Sequence, residues 1–208
     1  MISLYTGTPG SGKSFHVAKD ISDIIRFKRN CICISNIPID LSRFPEKKRD
    51  KFIYLSNSDL TPDRIKEIAY SHFKKINKPV KEGYVKLYID EAQMMFNARS
   101  WNDKDRKAWN EFFTIHRHLG IDVIMICQFD LMIDKQIRSL VEYQYIHRKV
   151  LSLGWRGLVL FVLSGFRSLA VTRIYYPLKH SLGLKLIYLN PRVFKIYDTF
   201  ALFSSNDK

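Results

Sequence analysis

Gly7-Thr8-Pro9-Gly10-Ser11-Gly12-Lys13-Ser14 is the stretch on which the fold turns. It meets the phosphate-binding pattern GxxxxGK(S/T) at every fixed position, and its surroundings agree. An apolar strand, Ile2–Tyr5, runs into the glycines. Beyond them Val17, Ala18, Ile21, Ile24 and Ile25 fall on one stripe with a period near 3.6, which predicts an amphipathic helix. Each residue type has a physical task. Glycines let the backbone curl until successive N–H groups point inward at a phosphate. The following helix adds the partial positive charge of its first turn. Lys13 can reach the β- and γ-phosphates as a mobile charge, and the Ser14 hydroxyl can ligate Mg²⁺. The predicted ATP-contacting segment is therefore Gly7, Thr8, Pro9, Gly10, Ser11, Gly12, Lys13, Ser14 and Phe15.

A phosphate loop needs a second source of negative charge to hold the cation. Val85-Lys86-Leu87-Tyr88-Ile89-Asp90-Glu91 supplies it, as an apolar strand that ends in two adjacent acids. Asp90 is placed as a Mg²⁺ ligand with Ser14, and Glu91 as the base that activates water. A DE pair after a strand is weak evidence alone and strong evidence after a complete phosphate loop. Gln128 follows the apolar run Ile121–Cys127. In a parallel sheet its amide reaches the nucleotide edge, where it senses the γ-phosphate or positions water, or else it merely closes a buried strand. Beyond Lys13, no cation stands out in the sequence as placed against the γ-phosphate. Arg117 and Arg138 are candidates for an arginine lent to a neighbouring subunit's site. His116 and His118 lie two apart, so they share no helical face for a metal.

The rest of the chain alternates. Cys31–Ser35 reads as a strand, Asp40–Asp50 as a charged loop, Phe52–Leu55 as a short apolar segment and Thr61-Pro62 as a helix start. Lys104–Leu119 reads as a helix with Ala108, Trp109, Phe112 and Phe113 inward, closed by Gly120. The expectation is an α/β fold with a largely parallel central sheet flanked by helices. After about residue 140 the pattern changes to strands with little helix between them: Tyr143–Val150, Leu169–Tyr176 and Leu184–Asn190. Residues 1–140 then form a phosphate-binding core, and residues 141–208 a basic, strand-rich extension packed on the same domain. The ten-residue apolar run Gly157–Phe166 reads as a buried strand of that extension. The other reading is a short interfacial segment, with Arg156 and Arg167 reaching acidic lipid.

Composition sets the outer bounds. At 208 residues, 46% hydrophobic and 13% aromatic, the chain can bury a full core, which excludes disordered and collagen-like classes. Its net charge of +14 points to a polyanionic neighbour such as nucleic acid or acidic lipid. Residues 141–208 hold half of that excess in a third of the length. Cys31, Cys33 and Cys127 make no CxxC pair and no even framework, so neither zinc nor secretion is expected. The amino terminus lacks the form of a signal peptide, and no apolar run approaches the ~20 residues of a membrane helix. These features predict a cytoplasmic location.

With these residues placed, the sequence resembles the zonular occludens toxin family, the assembly ATPases of filamentous phages within the wider FtsK- and HerA-like group of P-loop NTPases. The likeness rests on Gly7–Ser14, Ile89-Asp90-Glu91-Ala92-Gln93, His116-Arg117-His118-Leu119-Gly120-Ile121-Asp122-Val123 and Cys127-Gln128. It continues through Ile133-Asp134, Ile137-Arg138 and Tyr197-Asp198-Thr199. The resemblance implies ATP at Gly7–Ser14, Mg²⁺ at Ser14 and Asp90, water activation at Glu91 and sensing at Gln128. It further implies a homo-oligomeric motor, peripheral to the inner face of the cytoplasmic membrane, that extrudes single-stranded DNA or phage nucleoprotein. A membrane-embedded assembly partner or an acidic membrane surface would hold it there. Family members typically continue into a membrane helix and an exported segment, whereas this chain stops near the end of the ATPase domain. Two other readings are a P-loop nucleoside or nucleotide kinase, which lacks an evident acceptor lid, and a nucleotide-gated DNA-binding switch with little turnover.

Overall fold

The computed structural model describes residues 1–97, 103–163 and 167–197. Its centre is an eight-stranded sheet. The strands are β1 (Ile2–Thr6), β2 (Ile32–Ser35), β3 (Phe52–Tyr54), β4 (Val85–Ile89), β5 (Ile121–Ile126), β6 (Tyr143–Lys149), β7 (Ser168–Tyr175) and β8 (His180–Tyr188). Their spatial order is β3-β2-β4-β5-β1-β6-β7-β8. All pairings from β3 to β6 are parallel, while β7 and β8 add antiparallel. The helices are α1 (Lys13–Phe27), α2 (Pro62–Ile76), α3 (Ala92–Met95), α4 (Asp103–Ile115), α5 (Lys135–Ser139), α6 (Trp155–Leu163) and α7 (Pro191–Phe194).

A parallel sheet must be covered on both faces, so its central strands read as apolar runs rather than alternations. Every residue of β1 and β5 is buried. Leu4, Leu87 and Met125 pack beneath Phe73, Phe112 and Phe113 of α2 and α4. Across the sheet, Tyr5, Tyr88 and Ile126 meet Phe15, Val17 and Ile21 of α1. Asp122 can interrupt β5 because it accepts a 3.0 Å bond from the Met1 ammonium at the sheet's amino edge. The start of α2 is fixed as its sequence suggests. Thr61 Oγ1 accepts from Arg64 N–H at 3.3 Å, and Pro62 occupies the first turn, where a missing N–H costs nothing.

Three expectations need correction. Gly157–Phe166 is not a strand: Trp155–Leu163 is helical, and residues 164–166 lie outside the described residues. The helix is also not buried, since Leu158, Val159, Val162 and Leu163 are exposed. It stands in the connection between β6 and β7. Asp40–Asp50 is not an open loop but two 3-10 turns, Leu41–Arg43 and Glu46–Lys51. Asp40 starts the first by accepting from Ser42 N–H at 3.0 Å. The helix expected to reach Leu119 ends at Ile115, and His116–Gly120 forms the turn into β5.

Candidate active site

β1, β4 and β5 run parallel, so their carboxyl ends share one edge of the sheet. The turn after β1 carries Gly7–Ser14, the end of β4 carries Asp90 and Glu91, and the end of β5 carries Gln128. Residues from three separated segments thus meet at the edge where open α/β sheets hold ligands.

Two glycines are required by the geometry of the turn. Gly7 has φ +145°, and a Cβ there would sit 2.5 Å from the His147 carbonyl oxygen. Gly12, the residue that starts α1, has φ +93°, and a Cβ would sit 2.2 Å from a Leu169 methyl. Both positions combine a left-handed backbone with contact against another strand, which only glycine meets without strain. Gly7 N–H donates to the Gln128 carbonyl at 3.2 Å, which joins the loop to the end of β5. Lys13 Nζ folds back to donate to Gly7 O at 2.6 Å and Thr8 O at 3.3 Å. The ammonium thus closes the phosphate loop from inside. Burial lowers its pKa, and the nearby Glu91 and Asp90 carboxylates oppose that shift. Ser11 Oγ is buried with no hydrogen-bond partner among the described residues.

Asp90 is held by its backbone. Asn36, at the end of β2, accepts from Asp90 N–H at 2.7 Å and donates to Asp90 O at 3.0 Å, and it also donates to Asn57 at 2.7 Å. Burial, and secondarily the Glu91 charge, push the Asp90 carboxyl up to about 6. Its Oδ1 accepts from Glu91 N–H at 3.0 Å, while Oδ2 accepts no hydrogen bond from the described residues. A carboxylate oxygen beside Lys13 suits a hard divalent cation, as does the Ser14 hydroxyl in the first turn of α1, so these oxygen donors are of the kind Mg²⁺ takes. Glu91 itself lies in the left-handed region at φ +48° and accepts from Gln93 Nε2. Holding a non-glycine residue in that conformation costs of order 1 kcal/mol.

A cleft of about 650 Å³ borders the loop, lined by Thr8, Pro9, Gln128 and Phe129 on one side and His147, Arg148 and Lys149 on the other. The last three come from β6, whose parallel pairing puts Ile146 opposite Thr6. No motif in the sequence marks these three residues, and the pairing of β6 with β1 brings the cations Arg148 and Lys149 into the cleft beside the phosphate loop. Arg117 and Arg138 are placed differently. Arg117 pairs with Glu142 at 2.6 Å and Glu82 at 3.7 Å, at the amino edge of the sheet and away from the loop. Arg138 donates to the backbone of Asp130, a residue of the cleft wall, at 3.4 Å.

Behind the loop lies a histidine pair. His147 Nδ1–H faces the carbonyls of Thr6 (3.2 Å) and Tyr145 (3.0 Å), so its Nε2 accepts from His16 Nδ1–H at 2.8 Å. Tyr5 stacks on the His16 ring at 4.8 Å. Burial, reinforced by His16, drives the His147 pKa down to about 3. The sign follows from linkage. Between pH 6.5 and 3 the unfolded chain binds a proton at this residue that the folded chain refuses, so stability falls as pH drops through that window and is unaffected above it. At pH 5 the loss from His147 is about 2 kcal/mol relative to pH 7.5. Urea unfolding of the protein and of His147→Gln at both pH values isolates this contribution. The stability difference between the two proteins is expected to shrink by that amount at pH 5, and an unchanged difference would refute it.

A parallel sheet with a glycine-rich loop after its first strand, a lysine and serine opening the next helix and an acid pair at a neighbouring strand end defines the P-loop NTPase fold. The sequence profile of the zonular occludens toxin (Zot) family matches residues 1–198, and the chain belongs to that family. It is 28% identical over 215 residues to the Gene 1 protein of Enterobacteria phage M13, and 26% identical over 219 residues to that of Salmonella phage IKe. These alignments cover 97% and 99% of this chain but 60% and 58% of the relatives, so the chain spans less than two thirds of their length. Among solved structures, the N-terminal domain of zonular occludens toxin from Neisseria meningitidis superposes with a TM-score of 0.51 at 20% identity, covering 95% of this chain and 98% of that one. The DNA-packaging ATPase B204 from Sulfolobus Turreted Icosahedral Virus gives 0.57 at 17% identity, covering 91% and 97%. B204 from the related virus 2 has been solved with ATP-gammaS. At these identities the structural likeness establishes the fold. No helix among the described residues is long and apolar enough to cross a membrane.

Proposed function

We propose that this chain is the ATP-hydrolysing motor of a phage assembly and export machine, acting on single-stranded DNA or its nucleoprotein at the cytoplasmic membrane. The observation that carries the reading is the meeting of Lys13 with Asp90 and Glu91 at one sheet edge, where burial makes their charges interact. Gly7–Phe15 would cradle the phosphates, with Lys13 released from Gly7 O and Thr8 O to the β- and γ-oxygens. Ser14 and Asp90 would hold Mg²⁺, which when bound neutralises phosphate charge. Glu91 would take the proton from the attacking water, and Gln128, tied to the loop through Gly7 N–H, would report whether the γ-phosphate is present. The Gene 1 proteins and the packaging ATPase B204 support the choice of a phage motor over a kinase.

The reading includes a shared site in a homo-oligomer, with Arg138 or Arg117 lent across a subunit boundary. Arg138 is the better placed, because it already lies against the cleft wall, whereas Arg117 would first have to leave two carboxylates. Phosphate release per subunit is expected to rise with protein concentration and with single-stranded DNA. Mixing Arg138→Ala with Lys13→Ala is expected to restore part of the activity that each lacks. A flat concentration profile without rescue leaves a self-contained ATPase, and transfer of the phosphate to a nucleoside would make it a kinase.

A further inference from the structure

The outer strands leave part of one sheet face uncovered. On the α1 side, α1 and α7 shield Leu169, Val171 and Ile187. Further along the same face, cross-strand register sets Tyr143 opposite Tyr175 and Tyr145 opposite Arg173. Their rings form a ladder. Tyr143 and Tyr175 have centroids 5.8 Å apart, and the Arg173 guanidinium lies 4.1 Å over the Tyr143 ring and 5.8 Å from that of Tyr145. Opposite Arg173 on β8 stands Gly183, where a Cβ would meet nothing within 4 Å, so at this rung the neighbouring strand adds no side chain, while His180 stands opposite Tyr175.

The face is also cationic. A cleft of about 390 Å³ opens beside the ladder, and Lys86, Arg173 and Lys185 line it. Two carboxylates face the same region, and both are compensated. Asp20 accepts from Tyr5 O–H at 3.2 Å, and burial raises its pKa while the nearby Lys86 opposes that shift. Asp122 is paired with the Met1 ammonium. Cations alone would suit any polyanion. Half-buried tyrosines interleaved with them add π-faces that phosphate or lipid headgroups do not use, but that unpaired bases do. A duplex keeps its bases stacked on one another and cannot offer them to a sheet face.

We propose that this face binds single-stranded nucleic acid, with bases stacking on Tyr143 and Tyr175 and phosphates lying at Lys86, Arg173 and Lys185. The choice of DNA over RNA rests on the motor function proposed above. The surface itself does not, because it is separate from the phosphate loop. The histidine pair lies between the two: His16 touches Tyr145 on one side, and His147 touches Thr6 on the other.

The test is fluorescence anisotropy of the whole chain with labelled (dT)20, without nucleotide, against an abasic strand of equal length. The (dT)20 strand is expected to bind at least about tenfold tighter than the abasic one. Tyr143→Ala and Tyr175→Ala should each weaken (dT)20 binding by about 5- to 100-fold and leave the abasic strand unchanged, while Tyr143→Phe retains binding. Arg173→Ala should reduce the slope of log affinity against log salt by about 0.7. Equal affinity for the two strands would overturn the proposal, as would indifference to both alanine variants. So would sedimentation with phosphatidylserine vesicles in the absence of (dT)20 binding. Binding of an ATP analogue, measured separately on the same proteins, keeps the two readings apart. Its loss in the parent protein sinks the motor, whereas unaffected (dT)20 binding in the tyrosine variants sinks only this surface.

Discussion

Lys13→Ala is expected to lower ATP hydrolysis by at least two to three orders of magnitude, roughly the cost of removing one preorganised charge stabiliser from a developing anion. The position of the ammonium makes the effect specific to the loop. The ammonium already sits inside the loop, held by the carbonyls of Gly7 and Thr8 at 2.6 and 3.3 Å, so a phosphate entering the loop needs only to exchange one set of oxygens for another. Alanine removes the charge and keeps α1, since it is the residue best suited to a helix. The two lost carbonyl contacts are half exposed and contribute about 1 kcal/mol, too little to unfold the domain. Circular dichroism and thermal melting should therefore be nearly unchanged while phosphate release falls to background. A folded variant with undiminished turnover would show that the loop does not carry the chemistry.

How far the site can be read in advance depends on whether its parts are contiguous. The phosphate loop is legible because eight successive residues and their flanks suffice to define it. Asp90 and Glu91 are legible because a strand end is a local feature. Asn36 and His147 are not, because their roles exist only in register. Asn36 grips the Asp90 backbone from the end of a neighbouring strand 54 residues earlier. His147 meets Thr6 across 141 residues because β6 pairs beside β1. Arg148 and Lys149 reach the cleft through the same pairing, and a count of nearby cations along the sequence could not include them.

The error at Gly157–Phe166 has a different cause. Gly157–Leu163 is apolar throughout and has no polar positions from which to read a period, so strand and helix fit it equally well. Burial, the common fate of such a run, favours the strand. In the fold, Trp155–Leu163 lies in the connection between the antiparallel neighbours β6 and β7, whose paired ends here are Lys149 and Leu169. A helix there satisfies its own backbone hydrogen bonds without a sheet partner, and Leu163 is left 78% exposed.

Glu91→Gln is expected to separate binding from hydrolysis. The two side chains have nearly the same shape, and the left-handed backbone at φ +48° strains both alike, so the substitution introduces no new conformational cost. The bond from Gln93 Nε2 can persist, because an amide oxygen accepts where the carboxylate did. Asp90 keeps its bond from the backbone N–H of residue 91 and its hold from Asn36, so the proposed Mg²⁺ ligand stays in place. What disappears is proton affinity, because an amide cannot take a proton from water at neutral pH. Hydrolysis should fall by roughly two to four orders of magnitude, the range for loss of a general base. ATP affinity, read by titration of a fluorescent analogue, should change little or tighten, since a negative charge has left the neighbourhood of the γ-phosphate. Lys13→Ala weakens both steps, so the two variants differ in kind. If Glu91→Gln abolished nucleotide binding as well, Glu91 would be a ligand or a structural anchor, and the base would have to be sought elsewhere along the cleft.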